Sequence, residues 1–115
     1  MTLVVPLQKG EILLLQYIVG MVNADNPVLH LYANDVVPTN TSIITDLTEV
    51  AGSTGYAAIT LLSNQWTTTQ STGVTTAVYS EQTFNFTTAA TTYGYYVTNA
   101  ANQLLWLENA GQLAA

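Results

Sequence analysis

The sequence predicts a single all-β domain, either an antiparallel β-sandwich or a jelly-roll-like barrel, with room for one short N-terminal helix. About six short segments carry strand-like patterns, and turn-forming residues separate them roughly every 8 to 15 residues. Crossover helices, which a parallel sheet requires, are missing between these segments. The length of 115 residues suits one domain, residues 1–115, with one modest core.

The first third of the chain contains one ambiguous segment and one clear strand. Residues 12–19 are almost wholly apolar. Their leucines and the preceding Glu11 favour a helix over 10–21, while their β-branched end and the closing Gly20 suit a buried strand equally well. Turn-forming residues at 23–27 end this segment. Alternation over 28–32 then predicts a strand.

The remaining elements follow from alternation and turn chemistry. Residues 42–50 predict an irregular crossing segment, and Gly52 to Gly55 a turn. Alternation predicts a strand over 55–62 and a half-buried strand over 74–86, with a surface loop at 67–73 between them. Strands at 93–98 and 103–108 flank a four-residue link typical of a hairpin, and 109–111 is predicted to close the last strand.

Charge and composition exclude several function classes. Lys9 is the one cationic side chain, set against seven acids, and the net charge is −6. A phosphate backbone would be repelled, so we expect no nucleic acid partner. The chain lacks a basic cluster for anionic lipids and an apolar run of about 18 residues, so we expect no membrane role. There are no cysteines to form disulfides or thiolate metal sites.

No residue pattern predicts catalysis. His30 is the only histidine and lies in mid-strand, so a structural role is favoured over a proton relay or a ligand role. Two carboxylate pairs, Asp46 with Glu49 and Glu81 with Glu108, are the only ones that spacing offers for glycoside hydrolysis, and scattered surface acids explain them better. We therefore predict no enzyme, no catalytic residue and no cofactor.

Loop oxygens and aromatic rings offer weaker binding hypotheses. The side chains of Asn23, Asp25 and Asn26 faintly resemble a calcium loop, but the glycine and distal glutamate of that motif are absent, which favours a turn and no metal. Aromatic residues such as Trp66 and Trp106 suit either stacking on sugars or contact with a protein partner.

The scarcity of charge points to assembly. Free sheet edges are usually guarded by lysine, proline or an inward-pointing charge. Only 7% of the residues are charged, whereas 19 are threonine. We therefore expect the sheet edges to be occupied by neighbouring subunits.

A spaced set of segments also carries a family resemblance. In order, they are Leu31-Tyr32-Ala33-Asn34-Asp35, Pro38, Thr48-Glu49, Gly55-Tyr56-Ala57, Thr60-Leu61, Trp66, Tyr79, Gln82-Thr83-Phe84, Phe86, Tyr93-Gly94-Tyr95-Tyr96-Val97-Thr98 and Leu105-Trp106. In order and spacing, from about residue 3 to residue 108, this set resembles small β-rich virion structural proteins of tailed bacteriophages, many from phages of cyanobacteria and aquatic bacteria. Similar proteins usually continue past the position of Glu108 into a further strand. Here either the tail is short, leaving an edge for a partner strand, or the chain is truncated.

The resemblance implies a non-enzymatic particle component, and a capsid decoration or cement protein is the leading hypothesis. The expected partners are the major capsid protein or other virion proteins and further copies of the chain, with a trimer favoured, in a virion assembled in the host bacterial cytoplasm. A tail or head fibre component that binds a host glycan is the alternative. For the interface we predict Val4, Val5 and Pro6, within an extended arm over 1–9, together with Tyr93, Tyr95 and Tyr96.

Overall fold

The computed structural model describes residues 7–114 and shows a mostly β chain with one short helix. Its two antiparallel sheets agree with the predicted all-β class. The helix and strands are α1 (Gln8–Ile18), β1 (Val28–Tyr32), β2 (Ile59–Thr60), β3 (Thr67–Ser71), β4 (Val74–Val78), β5 (Thr91–Thr98) and β6 (Leu104–Ala114). Single 3₁₀ turns form at Ile44–Asp46, Gly52–Thr54 and Ser63–Gln65.

Four strands form the main sheet in the order β2-β1-β5-β6. The predicted strand at 28–32 is confirmed with the same bounds, and it lies in the sheet interior. On it, His30 lies opposite Tyr96 of β5. The predicted hairpin of the last two strands is also confirmed, as β5 and β6. The sheet therefore joins segments that are far apart in sequence.

The helix prediction for the ambiguous segment is confirmed, but α1 begins earlier than expected. It starts at Gln8, directly after Leu7, so residues 8–9 of the predicted extended arm are helical. The remaining predicted arm residues, Val4, Val5 and Pro6, lie outside the described residues.

The core lies where α1, β1, β5 and β6 meet. Its buried cluster consists of Leu7, Tyr32, Tyr96, Leu104 and Leu107. On α1, Gly10 and Leu13 are buried and form the side of the helix that packs against the rest of the chain. A Cβ atom at Gly10 would overlap the carbonyl oxygen of Leu105, so the missing side chain lets the helix backbone approach β6 closely.

The predicted surface loop at 67–73 was wrong, because 67–71 is strand β3. It pairs with β4 through a two-residue turn in which Thr72 and Gly73 both have positive φ, 52° and 76°. This is the backbone requirement of a type I′ hairpin turn. Every residue of β3 and β4 is exposed, Val74 and Val78 by 59% and 56%, so burial does not alternate along either strand.

Three predicted strand boundaries were also wrong. The strand expected over 74–86 ends at Val78, although burial still alternates at 81–86 without ladder pairing. The strand expected over 55–62 is only the two residues of β2. The last strand does not close at 109–111 but continues to Ala114, past an irregularity in its pairing where Gly111 has a φ of 79°.

Candidate interaction surfaces

The side of α1 that faces away from the sheet is unusually apolar for a helix on the surface. Six large apolar side chains on the helix and just after it are between 51% and 80% exposed: Ile12, Leu14, Leu15, Ile18, Val19 and Met21. A helix on the surface of a monomeric protein normally presents polar residues there. This apolar face is therefore a candidate contact surface.

Helix geometry explains why the face is apolar. Successive residues are about 100° apart, so Ile12, Leu15 and Val19 lie about 140° to 180° around the helix axis from the buried Gly10. Lys9 and Glu11 are the only charged residues of the helix, and both are exposed. The signal was visible in the sequence, since the four consecutive apolar residues 12–15 point in all directions around a helix and cannot all face the sheet. Sequence reasoning placed the interface elsewhere.

The outer edge of β6 is a second open surface. This strand has 11 residues and pairs only with β5, and within residues 7–114 no other strand joins it. It carries no lysine and no proline. Its one acid, Glu108, is 8% exposed, and the Oε2 atom has no hydrogen-bond partner among the described residues. The edge thus lacks lysine and proline, two of the usual guards against pairing with another chain, and keeps the buried acid Glu108 and an irregular pairing with β5.

The hairpin of β3 and β4 is a third open surface. Each strand packs substantially only against the other, with no comparable contact to another described element. At its foot, the rings of Trp66 and Tyr79 meet edge to face, with centroids 5.0 Å apart. The Tyr79 hydroxyl accepts a hydrogen bond from the Leu62 amide and donates one to Gln65, both at 3.0 Å. The hairpin projects from an anchored base.

The three tyrosines predicted for the interface occupy different environments. Tyr96 is buried in the core and stacks on His30, so it offers almost no surface to a partner. Tyr93 is half-buried against the core cluster. Tyr95 is also half-buried, and burial together with the Glu108 carboxylate raises the pKa of its hydroxyl to about 12. Tyr93 and Tyr95 retain surface for contact, and their interface role stays a prediction.

An apolar groove of about 350 Å³ lies beside Tyr95, on the side of β1 that carries Leu29 and Leu31. The segment after β4, including Phe84, forms its other wall. A second groove of about 370 Å³ lies between α1 and the start of β6 and contains Lys9. Both grooves border the open surfaces described above.

His30 is the centre of a polar network that joins three separate segments. Its Nδ1 lies 2.7 Å from Glu49 Oε2, and its Nε2 lies 2.9 Å from Thr98 Oγ1. The Tyr56 hydroxyl donates to the same Glu49 oxygen at 2.6 Å and accepts the Leu31 amide at 3.2 Å. The network ties the segment that follows the 3₁₀ turn at Ile44–Asp46 to the centre of the sheet.

The order Thr98, His30, Glu49 matches the hydroxyl, imidazole and carboxylate of a nucleophilic triad. Thr98 is only 1% exposed, so a substrate cannot reach its hydroxyl. The imidazole ring also stacks on Tyr96, with centroids 4.5 Å apart and an interplanar angle of 7°. These contacts describe a rigid structural network.

The His30 network makes the stability of the fold depend on the ionisation of Glu49, so we expect stability to fall in acid. Burial favours the neutral acid, but hydrogen bonds from Tyr56 and His30 outweigh this effect and lower the pKa of Glu49 below its ordinary value of 4.5. A carboxyl with a lowered folded-state pKa stabilises the fold above its unfolded pKa, and this contribution is lost as the pH falls through the folded pKa. We expect the free energy of unfolding to fall as the pH decreases below the ordinary value of 4.5, with a shallower fall in Glu49→Gln. Urea unfolding at several pH values measures this, and equal slopes in both proteins would contradict it.

The other acids considered for catalysis or metal binding have separate structural settings. Asp46 Oδ2 accepts the Ile43 amide at 3.0 Å, whereas Glu49 belongs to the His30 network. Asp25 Oδ1 accepts the Ala100 amide at 3.3 Å, and Asn26 Oδ1 accepts the Ser63 amide at 2.9 Å. Oxygens of the possible calcium loop are thus used to hold turns. No group of three or more metal-ligating side chains occurs within residues 7–114.

Among the described residues, no helix has the length and apolarity needed to cross a membrane. No family model, curated protein or solved structure matches the chain.

Proposed function

We propose that the chain is a non-enzymatic structural subunit of a bacteriophage particle, acting as a capsid decoration or cement protein. The observation that carries this proposal is the outward apolar face of α1, which a free monomer would leave in water. The resemblance of the spaced segments to small phage virion proteins indicates the kind of assembly.

The proposed mechanism is stabilisation by mass action. Contacts that form only in the assembled shell stabilise that shell over its separated subunits. The proposed partners are the major capsid protein and further copies of this chain, arranged as trimers, in a virion assembled in the host bacterial cytoplasm. The nearly uncharged surface supports apolar contacts over electrostatic ones, because one lysine allows few intermolecular ion pairs.

We further propose that the predicted sandwich arrangement is completed in the assembly. Leu29 and Leu31 remain half-buried beside the apolar groove, on the side of β1 opposite His30. A second layer contributed by a neighbouring subunit would bury this side as well.

A fibre component that binds a host glycan is the second candidate. The observation that favours it is the Trp66–Tyr79 pair at the foot of the projecting hairpin, because half-buried aromatic rings suit stacking on sugars.

Copy number in purified particles separates the two candidates. Quantitative mass spectrometry compares this chain with the major capsid protein in particles of the phage that encodes it. We expect near-stoichiometric amounts. Around a dozen to a few dozen copies would favour the fibre component, and absence from particles would overturn both proposals.

A further inference from the structure

The spacing of the exposed residues on α1 suits a helix that packs against another helix. Ile12, Leu15 and Val19 follow one another at intervals of three and four residues, the spacing of a helix–helix seam. Ile18, about 60° from Leu15 around the helix axis, extends this outward side, whereas the exposed Leu14 lies at the margin next to Gly10. The buried residues Gly10 and Leu13 lie on the opposite side and already pack against the rest of the chain.

This apolar side is large enough to form the centre of a protein interface. Ile12, Leu15, Ile18 and Val19 are between 51% and 80% exposed, which corresponds to roughly 500 Å² of open surface, somewhat more than half of the roughly 800 Å² that each partner buries in a standard stable interface. A single small ligand would cover only part of such a face.

Two charges border this face and point to the partner. Lys9 and Glu11 are two residues apart, so they lie about 200° apart around the helix axis and do not face each other. Among residues 7–114 the one ion pair joins His30 and Glu49. When two such helices lie side by side and parallel, Lys9 of one copy comes beside Glu11 of the next. The chain itself therefore carries the complementary charge.

We propose that the outward face of α1 is the contact between copies of this chain, with the helices parallel and Lys9 of each copy beside Glu11 of its neighbour. The inference rests on the proposed function for the expectation that the chain self-assembles, and it names the surface that does so. A membrane surface is the less suitable occupant, since the net charge of −6 opposes anionic lipids and Glu11 borders the apolar face.

The first test compares the mass of purified full-length variants over a range of concentrations by analytical ultracentrifugation. We expect the wild-type chain to form a reversible oligomer and Leu15→Glu to weaken it at least tenfold. Val37→Glu is the matched control, because Val37 is 76% exposed and lies outside the helix. It should associate like the wild type. Circular dichroism shows that each variant is folded, and Ile18→Lys serves as a second disruption if Leu15→Glu is not.

A charge exchange then distinguishes self-contact from other causes of association. Lys9→Glu and Glu11→Lys should each weaken association about threefold or more, and the double exchange should restore it. Failure of the double exchange to restore association would overturn the proposed pairing. A wild-type chain that stays monomeric, or a Leu15→Glu variant that still associates normally, would overturn the α1 contact.

Two outcomes separate this inference from the proposed function. A monomeric chain that is near-stoichiometric in particles would overturn the α1 self-contact and leave the capsid role intact. An oligomer that depends on α1 but is absent from particles would support the α1 self-contact and overturn the capsid role. Association of the wild-type chain with vesicles of zwitterionic and anionic phospholipid, lost in Leu15→Glu while the chain stays monomeric, would replace self-contact with membrane binding.

Discussion

Replacing Gly94 with alanine is expected to lower the free energy of unfolding by about 3 kcal/mol, at the upper end of the usual range for overpacked cores. A Cβ atom at this position would overlap the carbonyl oxygen of Glu108 and lie 2.8 Å from the Tyr32 hydroxyl. Tyr32 is fully buried, and its hydroxyl donates to the same Glu108 carbonyl at 2.9 Å. Since neither neighbour is a flexible chain end, β5 and β6 would have to separate.

Urea unfolding followed by tryptophan fluorescence measures this loss, and Gly52→Ala is the control. Gly52 has open space around it, so we expect a change within about 0.5 kcal/mol. Equal losses in the two variants would show that the loss does not come from the close contact at Gly94, because the reduced freedom of the unfolded chain after a Gly→Ala change would by itself stabilise the fold.

Replacing His30 with alanine is expected to cost about 3 kcal/mol, because it breaks a buried network at its centre. The buried Thr98 hydroxyl and the partly exposed Glu49 carboxylate would each lose the imidazole as a hydrogen-bond partner. Tyr96 would lose the ring that stacks on it. Thermal unfolding followed by circular dichroism measures the change, and His30→Gln, which retains one hydrogen-bonding group, should lose less.

A double-mutant cycle with Thr98→Val isolates the contact between His30 and Thr98. We expect a coupling energy of about 1 kcal/mol between the two positions. Additive losses would mean that the 2.9 Å contact between Nε2 and Oγ1 contributes little to stability.

A strand was predictable from the sequence where its own residues follow a period-two pattern. Strand β1 has one side directed at the core, so period-two alternation defines its bounds. Strand β3 is exposed on both sides, so its residues show no alternation, and the strand preference of its three threonines is the only signal for it. The segment at 81–86 has the alternation but no neighbouring strand to pair with, because alternation reports burial and not hydrogen bonding.

The candidate contact surface was only partly predictable, because it depends on which residues the fold leaves exposed. The lack of charge predicts an assembling protein, which stays a prediction, and the predicted contact residues include Tyr96, which the fold buries. The close approach of Gly10 to Leu105 decides which side of α1 stays exposed. These two residues are far apart in the chain, so the sequence alone does not reveal their contact. The partners of His30 likewise come from separate segments, Glu49 and Thr98, that only the folded sheet brings together.

The β3–β4 hairpin and the four-stranded sheet differ in stability, because the hairpin packs little against the rest of the chain. An isolated two-stranded hairpin is marginal in water, and this one gains little packing from the body beyond its aromatic foot at Trp66 and Tyr79. It can open sub-globally while the four-stranded sheet stays closed, so its backbone amides exchange with solvent without global unfolding. A melting curve followed by tryptophan fluorescence therefore combines the two equilibria, because Trp66 lies at the foot of the hairpin and Trp106 lies in β6.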